Sequence, residues 1–188
     1  GLNFTQKFML NYPDGAFSAD YYYTDFTNQV VVDIEKPGEV KFYNLKGKSF
    51  AHSFQAQLDY EPVRKLDVRL AYRYYNVQNT YDGVQKLKPL VAAHRAFLNA
   101  GYETKNNWKL DYTVQWIGSK RLPSRYSQHH ATLQENNSPS FVQMNAQISK
   151  SWKEGDIEVY LGGENLTNYM QHDLITGTNN PFGHNFDG

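Results

Sequence analysis

Cysteine is missing from this chain, which leaves it neither a disulfide framework nor a thiolate metal site. Net charge is missing too: 19 Lys and Arg balance 19 Asp and Glu. A surface built to wrap nucleic acid is therefore not expected, and no nucleic-acid partner is. No apolar run approaches the roughly 18 residues of a membrane helix, and mean hydropathy is −0.70. A helical membrane protein is excluded. A membrane β-barrel is not, because alternating strands dilute hydropathy. The first residue is Gly1, inside a strand-like pattern, with no initiator Met and no signal peptide ahead of it. The expectation is a fragment of a longer chain. What the sequence has in quantity is aromatic: 15 Tyr and 11 Phe.

Residues 108–116, WKLDYTVQW, show how those aromatics are used. Trp108, Leu110, Tyr112, Val114 and Trp116 alternate with Lys109, Asp111, Thr113 and Gln115. A strand points successive side chains to opposite faces, so one face here is apolar and the other polar. The apolar row carries an aromatic at each end, which suits a lipid-facing strand whose rings sit at headgroup depth. Nine residues at about 3.3 Å each, tilted roughly 45°, cross about 20 Å, close to what a membrane strand requires.

The same alternation runs through the chain. Leu2, Phe4, Phe8 and Leu10 share a face, then Phe17, Ala19, Tyr21 and Tyr23 after a tight turn at Tyr12-Pro13-Asp14-Gly15. Val30-Val31-Val32, Lys36-Pro37-Gly38 and then Val40, Phe42 and Leu45 read as a long hairpin reaching beyond the apolar band. Phe50, His52, Phe54, Ala56, Leu58 and Tyr60 form another outward row, followed after a short turn by Leu66, Val68, Leu70, Tyr72 and Tyr74. Residues 76–93 read as a long polar connection. Ala96, Leu98, Ala100 and Tyr102 follow, with Phe97 the apolar exception on the polar phase. Residues 119–139 form another long loop. Val142, Met144, Ala146, Ile148 and Trp152 then lead through Lys153-Glu154-Gly155-Asp156 to Ile157, Val159 and Leu161.

Short turns near 13, 63, 106 and 154 alternate strictly with long loops near 37, 85, 129 and beyond 167. Tyr12, Tyr60, Tyr102, Trp108 and Trp152 mark the short-turn end. Short periplasmic turns, long extracellular loops and an aromatic girdle are the pattern of an outer-membrane barrel. A propeller is disfavoured, because each period of about 45 residues holds two strands of roughly ten rather than four short ones. The fold expected is all-β: an antiparallel up-and-down transmembrane barrel, here a fragment of about eight strands forming a curved open sheet.

Gly162-Gly163-Glu164-Asn165-Leu166-Thr167-Asn168-Tyr169 resembles the G-x-E-N-L-T-N/D-x motif near the C-terminus of TonB-dependent outer-membrane receptors. Residues 22–30, YYTDFTNQV, resemble that family's Y-x-T-x-F-x-N-Q-V strand. Residues 60–75 and 115–123 also look like receptors of this type from Bacteroidetes-like bacteria. The resemblance implies a 22-stranded barrel around an N-terminal plug, with residues 1–188 the C-terminal portion of the barrel. The plug, the TonB box and the closing aromatic strand all lie outside these residues. It further implies uptake of a scarce nutrient (an iron chelate, haem, a cobalamin or a glycan), powered by the TonB–ExbB–ExbD complex acting through the plug. Partners are thus outer-membrane lipid, that complex and a small nutrient ligand; no cofactor is expected. A passive porin would share the strands but lack the plug. A soluble all-β binding module would instead cover its aromatic face with a second sheet.

No catalytic constellation stands out. Ser119, Ser124 and Ser127 share a loop with His129 and His130, but no nucleophile elbow accompanies them. Adjacent histidines on extended chain point apart, so His129-His130, with His172 and His184 elsewhere, make a poor metal set. No enzyme activity and no metal site are expected. On the polar phase, Arg69, Arg73, Arg95, Lys109, Asp111, Glu158 and Glu164 are candidates to face the lumen and dock a plug through balanced charge. In the long loops, Tyr81, Arg121, Arg125, Tyr126 and Phe182 are candidates to meet ligand, because loops carry function more often than scaffold does.

Overall fold

The computed structural model describes residues 2–11, 14–36, 39–123, 125–126, 133–134, 137–152 and 156–170. Their secondary structure is all strand and turn. One meander dominates: β1 (Leu2–Asn11), β2 (Asp14–Asp25), β5 (Phe50–Val63), β6 (Leu66–Tyr81), β8 (His94–Glu103), β9 (Trp108–Ile117), β12 (Phe141–Trp152) and β13 (Ile157–Gly163), each hydrogen-bonded to the next. Between them lie β3 (Val30–Asp33) paired with β4 (Lys41–Asn44), β7 (Val84–Leu87) folded back on β6, and the small pair β10 (Arg125–Tyr126) and β11 (Leu133–Gln134). The eight-strand path expected from the alternation is present, and every pairing along it is antiparallel.

Register fixes the two faces. Phe17, Leu58, Leu70, Leu98, Val114 and Met144 fall in one cross-strand row. Ala16, Asp59, Arg69, Asn99, Thr113 and Asn145 fall in a row of opposite phase. A slip of one residue would exchange these faces, so strongly one-sided strands specify their register. Nothing among the described residues covers the apolar face. Phe4 is 64% exposed, Leu70 44% and Leu161 74%. Among the described residues there is no second sheet of the kind a soluble module requires.

The buried apolar side chains lie elsewhere. Val31, Ala51, Val77, Tyr81, Ala92 and Leu122 gather at the end of the sheet where the long loops emerge. One difference from the sequence reading arises here. Residues 76–93 are not one long polar connection: β6 continues to Tyr81, turns at Asp82-Gly83 with φ 45° and 83°, and returns as β7. That is a two-residue hairpin, and Asp-Gly is its usual signal because both positions take positive φ. The 30–45 segment does form a hairpin, but its tip, residues 37–38, lies outside the described residues, as do most of the turns at 12–13 and 153–155.

Candidate functional site: a polar wall beneath a clamped loop platform

Aromatic residues bracket the apolar face at both ends. At the short-turn end, the Lys150 Nζ lies 5.4 Å from the Trp108 ring centre and 5.8 Å from that of Trp152. It also donates to the Asn106 carbonyl. An amine on an aliphatic stem between two indoles is how a cation reaches water from an apolar surface. At the long-loop end, one arrangement occurs twice. The Tyr21 hydroxyl is 2.8 Å from His52 Nδ1, with Tyr23 against the same imidazole. The Tyr72 hydroxyl is 2.7 Å from His94 Nδ1, with Tyr74 against it.

The polar face is a wall of side chains that partly neutralise one another near the short-turn end. Arg69 Nε donates to Asp59 Oδ1 at 2.5 Å, and Lys65 Nζ to Glu103 Oε1 at 3.2 Å. Asn99 donates to Thr113 at 3.0 Å. Of the residues expected on this face, Lys109 and Asp111 sit on β9 beside Ser149 and Gln147 of β12, and Glu158 is exposed opposite Ser151. Arg73 and Arg95 are cross-strand partners higher up.

The loop end is organised by one ion pair. The Arg121 guanidinium forks onto Glu35, with one nitrogen 2.9 Å from Oε2 and the other on Oε1, and its Nε donates to the Leu87 carbonyl at 2.6 Å. Lys86 approaches Glu35 at 3.7 Å, and the Arg121 head stands 5.8 Å from the centre of the Tyr81 ring. The Arg121 and Glu35 side chains are only 10% and 13% exposed. Beneath them, Ser49 Oγ is 2.7 Å from Asn79 Oδ1 and 3.0 Å from Gln29 Oε1, and Thr80 donates to the Lys48 carbonyl at 2.7 Å. Gly47 has φ +124°, and a β-carbon there would sit 2.7–2.9 Å from Thr80, so only glycine fits. Asp33 accepts from the Tyr43 hydroxyl and the Glu35 amide, each at 2.9 Å. Burial, and then the Asp33 carboxylate, push the Tyr43 phenol up to about 12.

Tyr81 and Arg121, singled out in the loops, therefore meet inside this clamp. The side chains of Arg125 and Tyr126, and Phe182 altogether, lie outside the described residues, as do His129, His130, His172 and His184. Among the described residues no group of His, Asp or Glu is placed to hold a metal.

The segment after β13 has its own geometry. Leu166 N donates to the Met144 carbonyl at 2.8 Å, and Thr167 Oγ1 to the Val142 carbonyl at 2.9 Å. The chain leaves the sheet at Gly163 yet still satisfies acceptors on the β12 edge, as buried backbone demands. Asn165, at φ 51°, receives Tyr169 N and Thr167 Oγ1 on its Oδ1 and donates Nδ2 to the Tyr169 carbonyl at 3.0 Å. Tyr169 is thereby stacked on Phe141, ring centres 4.2 Å apart.

An uncovered apolar face, a polar face, aromatic belts at both ends and long loops at one end define the wall of a transmembrane β-barrel. The chain belongs to the TonB-dependent receptor-like β-barrel family, whose model matches residues 1–166. That family is one of bacterial outer-membrane receptors and transporters rather than of enzymes. Among solved structures, the FrpB iron transporter from Neisseria meningitidis (F3-3 variant) is similar, with a TM-score of 0.64 and 14% identity over 89% of this chain. The match covers 27% of that transporter, so this chain spans about a quarter of its length. The search of curated proteins gives no match.

Proposed function

We propose that this chain forms part of the wall of an outer-membrane receptor that actively imports a scarce nutrient, such as an iron chelate, haem, a cobalamin or a glycan. Energy comes from TonB–ExbB–ExbD, acting through a plug held inside the barrel. The observation that carries this reading is the one-sided meander with its loops gathered and clamped at one end, in a chain of this family. The apolar face meets outer-membrane lipid. The polar wall around Arg69, Lys109, Asp111, Glu158 and Glu164 faces the lumen and docks the plug. Among the described residues β1 and β13 are the edge strands of the sheet, and in the barrel their outer edges pair with further strands, because unpaired backbone in lipid costs several kcal/mol per group. Arg125, Tyr126 and Phe182 meet the ligand from outside, while Tyr81 and Arg121 hold the loop platform together.

Deleting TonB tests this. The full-length protein should lose uptake while ligand still binds at the cell surface. Uptake that persists without TonB would favour a passive porin.

A further inference from the structure

We propose that Arg73 and Arg95 form an oxyanion site at the loop end of the lumen wall, taking a carboxylate- or phosphate-type group of the imported ligand. The import reading supplies the ligand's role; the site itself rests on the wall's own chemistry. The two arginines are directly opposed Cα partners on β6 and β8. Side chains so placed lie about 5 Å apart at Cβ, and like charges there repel. Lower on the same wall, Arg69 is held by Asp59 and Lys65 by Glu103, and Lys109 stands directly opposite Glu103 on β8. Among the described residues, Arg73 and Arg95 have no acidic partner. Along their row the next residues are Gln55 and then Asp20 on one side and Ile117 on the other. The acid is thus two strands from Arg73.

The surroundings are rich in neutral hydrogen-bonding groups: Gln55 and Gln115 beside the pair, Tyr22 and Ser53 one row above. The Arg73 head lies 5.5 Å from the Tyr75 ring centre, which holds its plane. Two guanidinium forks on directly opposed residues can converge on the paired oxygens of a carboxylate or phosphate. Height selects an incoming ligand over a plug carboxylate. Arg95 is the second residue of β8 from the loop end, and its neighbour Ile117 is the last of β9. The pair therefore lies directly below the loops, where a solute entering from outside first meets the wall.

The test uses the full-length receptor in detergent with inorganic phosphate as probe, at ionic strength held constant with sodium chloride. The thermal midpoint of the wild type should rise with phosphate. Arg73→Gln and Arg95→Gln should each raise the half-saturating phosphate by roughly tenfold or more, the worth of a charge-assisted bond. Arg73→Lys and Arg95→Lys keep charge and fold but lose the fork, and should fall between. Lys150→Gln, on the other face, should follow the wild type. A wild type that ignores phosphate, glutamine and lysine variants that respond like it, or equal loss in Lys150→Gln would overturn the site. So would a wild type that ignores phosphate alongside glutamine variants that melt lower, since a plug carboxylate then holds the pair. TonB is absent from this measurement, so its outcome is separate from that of the uptake experiment.

Discussion

Arg121 shows what a single loop residue can conceal. As sequence it is a cation in a polar loop, reasonably expected to meet ligand. In the structure its donors are taken by Glu35, 86 positions away, and by the Leu87 carbonyl. No local spacing announces a partner at that separation, which is why the clamp was not legible while the alternation was. Removing one member of a buried pair leaves an uncompensated charge, so Arg121→Met should cost about 3–5 kcal/mol in the stability of the loop platform, less whatever Lys86 recovers. Adding Glu35→Leu to that variant should restore much of the loss, because the carboxylate left without its guanidinium is then gone too. Amide exchange at Leu90, whose N–H donates to the Arg121 carbonyl at 2.8 Å, reports the opening. Protection at Leu90 that is the same in Arg121→Met as in the wild type would show that the clamp does not hold the loops.

At the scale of elements, strand phase was readable because each strand is apolar on one side only, and a period of two needs no distant information. The β6–β7 hairpin is harder to read from sequence although Asp82-Gly83 carries its signal, because the polar residues around it read as loop. The Glu164-Asn165-Leu166-Thr167-Asn168 segment stands out as a motif, but its work is visible only in the structure. It ends a strand while keeping the β12 edge satisfied, and it does so through an asparagine at positive φ. Asn165→Ala removes three side-chain hydrogen bonds and leaves a β-carbon at φ 51° without compensation. The expected cost is about 1–3 kcal/mol at this end of the wall, with Asn165→Gly milder because glycine accepts that φ. Thermal unfolding followed by gel mobility compares them. Glycine as harmful as alanine would place the whole effect in the lost bonds, and neither harmful would remove the motif's structural role.

For the whole molecule, the deciding fact is where the core is. A soluble domain buries its apolar residues in the middle of its sheet; among the described residues, this one leaves them exposed there and buries the set around Val31, Tyr81, Ala92 and Leu122 at the loop end. Bare apolar surface on this scale is stable only against another apolar medium, and the aromatic belts at Trp108 and Trp152, with Lys150 between them, on one side and Tyr72, Tyr74 and His94 on the other set that medium's limits. The midplane then falls near the row containing Leu70 and Val114. Leu70→Arg or Val114→Arg should cost about 2–4 kcal/mol in folding titrations of the intact receptor into lipid vesicles, since a cation at the bilayer centre is expensive on the lipid side. Thr113→Arg, one residue away but on the wet face, should cost far less, because its guanidinium stays in water beside Asn99. Adjacent residues with opposite outcomes isolate the face from the location. Equal costs for Val114→Arg and Thr113→Arg would mean that both faces are dry, and the transmembrane wall would have to be abandoned.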